Sequence, residues 1–159
     1  MRSFLCALLL AGTVHAQPSA DKSADYLAGS GMGYARAAEL NHFPGPMHVL
    51  ELADRLGLSD KQRAATKMLM DEHKRAARAI GAELVESERA LEALFKKGHV
   101  DEASLARAVR EAAAIEGEYR LSHLETHRRM RALLTDEQVT SYDSLRGYSG
   151  SPPAHQHKH

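Results

Sequence analysis

No proline occurs between Met47 and Ser151, and alanine, leucine, glutamate, arginine and lysine dominate that stretch. A proline inside a helix removes a backbone hydrogen bond and costs about 3 kcal/mol, so its absence permits long uninterrupted helices. The stretch therefore predicts an all-α fold without strands. We expect four helices, at about residues 45–56, 60–97, 101–133 and 136–146.

Capping residues mark the expected helix starts. Ser59 is followed three residues later by Gln62, and Thr135 stands in the same relation to Gln138. Each pair has the pattern of a capping box, in which the hydroxyl and the amide satisfy otherwise unpaired backbone N–H groups. These signals start the second and the fourth helix.

The two long helices are expected to form an antiparallel hairpin, because only about three residues separate them. Facing positions in such a hairpin have residue numbers that sum to roughly 198, which puts His73 level with residue 125. The same register pairs Gly81 with Gly117. A glycine inside a helix costs about 1 kcal/mol, and a local close approach or a bend would explain both together.

The first 16 residues have the pattern of a secretory signal peptide, with an apolar run from Phe4 to Val14 and small residues before a cut after Ala16. We therefore expect a periplasmic protein. Cys6 would leave with the signal, so the mature chain would contain no disulfide and no thiolate ligand. Any metal must then be held by histidine, methionine, aspartate or glutamate.

The rest of the chain is predicted to contain one domain. Residues 17–44 are expected to be a flexible segment, 45–148 the helical hairpin domain and 149–159 a disordered tail with histidines. Lysine plus arginine and aspartate plus glutamate both number 21, so the basic excess that nucleic acid attracts is absent.

The stretch "LSHLETHRRM" suggests a metal site. His123 and His127 are four residues apart, so both imidazoles leave the same helix face and can converge on one ion. His73 is expected at the same level of the facing helix. Met130, one turn further on, could supply a thioether, although methionine at this spacing more often fills a core. The alternative is that the two imidazoles pack in the groove of the hairpin.

Other histidines are weaker candidates. His42 and His48 flank "FPGPM" and are either ligands or solvent-exposed side chains, while three tail histidines could bind metal loosely. A site built from imidazoles without thiolates favours copper, nickel, cobalt or zinc, and affinity order alone does not choose among them. The tail histidines are His155, His157 and His159.

The motif "LTDEQ" at 134–138 matches the LTxxQ signature fully, and "LSDKQ" at 58–62 matches it with serine in place of threonine. With the signal peptide and the hairpin, they make residues 45–148 resemble the periplasmic Spy/CpxP/ZraP group and related heavy-metal sensor and resistance proteins. The resemblance implies a hooked hairpin of four helices, usually dimeric. It also implies a pair of metal ligands near the end of the hairpin, where "HLETH" lies, and further histidine ligands near its start. His42, His48 and His73 are the candidates for the ligands near the start.

The expected function is metal binding in sensing, resistance or the envelope stress response, and the alternative is an ATP-independent chaperone for unfolded proteins. The partners would be a metal ion, a second copy of the chain, and unfolded clients or a membrane-bound sensor. The dimer is also expected because a two-helix hairpin with short flanking helices cannot cover both its faces, and Leu121 and Leu124, which project away from the hairpin stripe, need cover from a flanking helix or a second subunit. No phosphate loop, H-E-x-x-H motif or nucleophile elbow occurs, so an enzyme is not expected.

Overall fold

A computed structural model describes residues 22–148, and over that range the regular structure is entirely helical. The predicted signal peptide 1–16 and the tail 149–159 lie outside the described residues. Within the described part, no helix combines the length and apolar composition that a membrane span requires. The helices are α1 (Ser23–Ala28), α2 (Arg36–Glu39), α3 (Pro46–Glu51), α4 (Asp60–Lys96), α5 (Glu102–Arg131) and α6 (Asp136–Arg146).

The two long helices, α4 and α5, pack against each other as the predicted antiparallel hairpin. Their register agrees with the expectation from the short turn. The rings of His73 and His123 are 4.4 Å apart, and His73 Nδ1 lies 3.1 Å from the hydroxyl of Thr126. The all-α fold with two long helices is confirmed, whereas the dimer and the cover that Leu121 would gain from it stay predictions.

Both capping boxes are present and confirm the predicted starts of α4 and α6. The amide of Ser59 donates to Gln62 Oε1 at 3.0 Å, and the amide of Thr135 donates to Gln138 Oε1 at the same distance. The two glutamines also bond to each other. Gln62 Nε2 lies 2.8 Å from Gln138 Oε1, and Gln138 Nε2 lies 3.1 Å from Gln62 Oε1. The two LTxxQ motifs thus meet side by side at the open end of the hairpin.

A core cluster at this end joins α3 and α6 to the hairpin. Its members are buried apolar side chains from four helices and their connections, so the short helices fold back over the ends of the long ones. The cluster contains Val49, Ala53, Leu56, Leu58, Leu69, Met130, Leu134, Val139 and Tyr142.

The prediction of four helices missed α1 and α2, which lie within residues 22–44, and the flexibility of that segment stays a prediction. Tyr26 of α1 is buried and packs edge-on against Tyr119 of α5, with ring centroids 5.2 Å apart. The Tyr119 hydroxyl donates to the carbonyl of Ser30 at 2.8 Å. This segment has no apolar period in its sequence, because it is held by a few individual contacts and not by an amphipathic helix face.

The predicted close approach of Gly81 and Gly117 is wrong. A Cβ at Gly81 would lie 2.1 Å from the carbonyl oxygen of Tyr26, whereas a Cβ at Gly117 would meet nothing within 4 Å. The close neighbour of Gly81 is therefore the backbone of α1. Glycine at this position lets the N-terminal segment lie directly on α4.

Candidate metal centre

A cavity of about 590 Å³ lies between the N-terminal segment and the hairpin. Four of the predicted ligands line it: His48, His73, His123 and His127. We call it the histidine cavity. Residues 28–33 line it, together with residues of α4 and α5.

His123 is buried and presents one nitrogen without a partner. Its Nδ1 lies 2.9 Å from the carbonyl oxygen of Tyr119. Because a carbonyl only accepts, Nδ1 must carry the hydrogen, and Nε2 of the neutral ring keeps its lone pair. Nε2 is a buried atom with no hydrogen-bond partner in the described structure. Burial lowers the pKa of His123 by more than the carbonyls of Tyr119 and Gly29 raise it. The unpaired acceptor is what a metal ligand requires.

Nδ1 of His73 is likewise bonded to an oxygen, in this case the hydroxyl of Thr126. The hydroxyl of Thr126 donates its only hydrogen to the carbonyl of Ser122 at 2.7 Å, so it must accept from Nδ1 of His73. Nε2 of His73 therefore keeps its lone pair. Burial, helped by the nearby His123 and His127, lowers the pKa of His73 to about 4. The ring is neutral at neutral pH, as metal binding demands.

His127 is oriented by the chain that leads into α3. Its Nδ1 donates to the carbonyl of Phe43 at 2.9 Å. A Cβ at Gly45 would lie 2.9 Å from Cε1 of His127 and 3.0 Å from its Nε2. Glycine at position 45 thus makes room for the imidazole, which could not occupy this position beside a larger residue.

His48 is paired with a carboxylate. Its Nδ1 lies 3.0 Å from Oε1 of Glu39, and Glu39 also accepts from the hydroxyls of Tyr142 and Tyr148, each at 3.3 Å. Pairing with a carboxylate fixes the imidazole orientation and makes its other nitrogen a stronger donor to a metal. Nε2 of His48 is the nitrogen left for a ligand.

The four histidines thus share one pattern: Nδ1 is bonded to a protein oxygen and Nε2 is left over. Metal-binding histidines are oriented in this way by their outer-shell partners. Among residues 22–148, no group of three or more histidine or carboxylate side chains already has the closeness of a metal site. Side-chain rotation would therefore be needed before three of these imidazoles could bind one ion.

The structure does not bring the two other predicted ligands to the histidine cavity. His42 lies outside it, where its Nδ1 is 2.5 Å from Oδ2 of the buried Asp143. Met130 is fully buried in the core cluster with Val49 and Leu69, which agrees with the core alternative for a methionine at helix spacing.

Sequence reasoning did not select several residues that line the cavity. Glu39 and three methionines, Met32, Met47 and Met70, are among them. A signal exists for Met70 alone, since it precedes His73 by three residues and so shares a helix face with it. Glu39 and Met32 lie in the N-terminal segment, whose packing has no periodic pattern in the sequence, and Met47 lies in α3 next to His48.

Comparison with known proteins places the chain in a family. No curated protein and no solved structure matches it significantly. The model of the LTXXQ motif family matches residues 46–146, a range that includes both motifs and the four histidines of the cavity. The match covers most of the chain, which therefore belongs to the LTXXQ motif family.

Proposed function

We propose that this protein binds a transition metal through the histidine cavity and acts in periplasmic metal sensing or resistance. The observation that carries the proposal is the shared orientation of His48, His73, His123 and His127, each with Nδ1 bonded to oxygen and Nε2 left over. Membership of the LTXXQ family supports it, because that family covers periplasmic heavy-metal resistance proteins as well as Spy/CpxP-like proteins.

Different groups of the chain would bind the ion and orient the imidazole ligands. The Nε2 atoms would bind the ion, while Thr126, Glu39 and two backbone carbonyls hold the rings in the required tautomer. Imidazole donors suit copper, nickel, cobalt and zinc. Because the pKa of His73 is lowered to about 4, protons compete for this ligand only at more acidic pH than for an exposed histidine.

Metal binding would also join two parts of the fold. His48 belongs to α3 and packs beside the N-terminal segment, whereas His73 and His123 belong to the hairpin. An ion bound to both parts favours the folded state, so the melting temperature should rise with metal concentration.

The test is a titration with Cu(II), Ni(II) or Zn(II), followed by calorimetry. All proteins carry serine in place of His155, His157 and His159, so that the tail does not contribute. We expect His73→Ala and His123→Ala each to weaken binding at least tenfold. His99→Ala is the matched control, because His99 is exposed at the turn of the hairpin. It should leave the affinity unchanged.

Equal affinities of the parent and the cavity variants, or binding weaker than about millimolar, would contradict the proposal. The same proteins should then be tested for suppression of aggregation of an unfolded client. Suppression without metal binding would favour the ATP-independent chaperone.

A further inference from the structure

Methionines also line the histidine cavity. Three of the five methionines within residues 22–148 line it, namely Met32, Met47 and Met70. They come from three separate segments: the α1–α2 connection, α3 and α4. The fold therefore brings thioethers and imidazoles to one place from distant parts of the chain.

Two of these methionines are in positions that packing does not explain. Met47 is 48% exposed and Met32 is 38% exposed, so neither fills a core. Met32 also has a left-handed backbone with φ of 43°, a conformation that glycine adopts more readily. Neither side chain is used up in core packing, so a thioether at these positions is accessible to an ion in the cavity.

The charges around the cavity favour a monovalent ion. Its lining contains the cations Arg36 and Lys74 and a single carboxylate, Glu39. That carboxylate already accepts bonds from His48 and two tyrosines. The cost of desolvating an ion rises steeply with its charge, and here no spare anion would offset a second positive charge.

We infer that the histidine cavity binds Cu(I) in preference to divalent metals, through the thioethers of Met47 and Met70 together with the Nε2 atoms of His73 and His123. This inference rests on the proposed function and narrows it to one ion. Thioethers are soft ligands that select Cu(I), whereas imidazoles alone do not discriminate strongly. Ag(I), which is soft and carries the same charge, should bind in the same way.

The test is an anaerobic competition for Cu(I) against a chromophoric chelator. It compares the parent, the double variant Met47→Leu, Met70→Leu, and the control Met68→Leu. Met68 is two residues from Met70 on the same helix, is 72% exposed and does not line the cavity. All proteins carry serine in place of the tail histidines.

The double variant should bind Cu(I) at least tenfold more weakly, while its affinity for Ni(II) or Zn(II) stays within twofold of the parent. Met68→Leu should match the parent throughout. Leucine conserves the volume of methionine, and the melting temperature of each metal-free variant checks that it folds. A second readout needs no variant: Ag(I) should shift the methyl resonances of Met47 and Met70 but not that of Met68.

Two results would overturn the inference in distinguishable ways. If the parent binds Ni(II) or Zn(II) through its histidines but the double variant keeps the Cu(I) affinity of the parent, the Cu(I) assignment fails and the proposed function stands. If the parent binds none of these ions, both fail.

Discussion

The imidazole of His73 on α4 donates from Nδ1 to the hydroxyl of Thr126 on α5, across a distance of 3.1 Å. This bond fixes the tautomer that leaves Nε2 unprotonated, as the proposed metal site requires. Thr126→Val keeps the side-chain shape but removes the acceptor. We expect a loss of metal affinity of about 10- to 100-fold, the usual effect of removing an outer-shell partner. Calorimetric titration measures it.

Thr140→Val is the matched control for this prediction. The Thr140 hydroxyl also donates to the carbonyl four residues earlier, that of Asp136 at 2.9 Å, but lies away from the histidine cavity. It should therefore bind metal as tightly as the parent. Equal affinities of the two valine variants would show that Thr126 does not orient His73.

The two histidines with lowered pKa values, His73 and His123, should make stability depend on pH. The pKa of His73 is about 4 in the folded state and 6.5 for an ordinary histidine. Between these values the unfolded chain binds more protons, so the free energy of unfolding is highest above pH 6.5 and decreases as the pH falls towards 4. The lowered pKa of His123 acts in the same direction.

Urea denaturation of the metal-free protein between pH 7 and 5 tests this dependence. In this range the carboxyls with lowered pKa, such as those of Glu72 and Glu125, contribute little, since their ordinary pKa is 4.5. His73→Gln removes the titrating group and should give a shallower decrease than the parent. Parallel curves for the two proteins would contradict the assignment to His73.

The two helix-interior glycines should respond oppositely to alanine. Gly81→Ala places a Cβ 2.1 Å from the carbonyl oxygen of Tyr26, so α1 must move. We expect a loss of about 1–3 kcal/mol, typical of overpacking, and weaker metal binding because a wall of the cavity shifts. Gly117→Ala meets nothing within 4 Å and should stabilise the helix by roughly 0.5–1 kcal/mol.

Chemical denaturation and limited proteolysis of residues 22–44 measure both effects. A stabilisation of the same size in both variants would show that helix propensity, and not the contact with Tyr26, decides the outcome.

The hairpin and its register could be predicted because local rules fix them. A proline-free stretch, a short turn and two capping boxes determine which residues of α4 and α5 face each other. That was sufficient to place His73 beside His123. The core position of Met130 also followed the ordinary expectation for a methionine at helix spacing.

The cavity itself could not be predicted from these rules. One of its walls is the segment before α3, which is held by single contacts such as Tyr26 with Tyr119 and the approach of α1 to Gly81. Such contacts leave no period in the sequence. For that reason Met32 and Glu39 were missed, and nothing in the sequence separated His48, which lines the cavity, from His42, which pairs with Asp143.

The paired glutamines of the two LTxxQ motifs give the last prediction. A capping box accepts glutamate as well as glutamine, since only the side-chain oxygen is needed. Here the side-chain amide nitrogen of Gln138 makes two hydrogen bonds outside the cap. Gln138 Nε2 donates to Gln62 Oε1 and to the carbonyl of Leu56 at 3.3 Å. Gln138→Glu should keep the cap but lose these donors and place a carboxylate beside two acceptors.

We therefore expect Gln138→Glu to cost about 1–3 kcal/mol, as for a buried polar group left without its partner. Thr135→Ala, which removes only the hydroxyl side of the cap, should cost roughly 0.5–2 kcal/mol.

In a double-mutant cycle, Gln62→Ala and Gln138→Ala should be coupled by about 0.5–3 kcal/mol, because each removes a bond made to the other. Additive losses in urea denaturation would mean that the glutamines act as two independent caps. Coupled losses would mean that the pair of motifs joins the start of α4 to the start of α6. The pair would then stabilise the open end of the hairpin that carries His73 and His123.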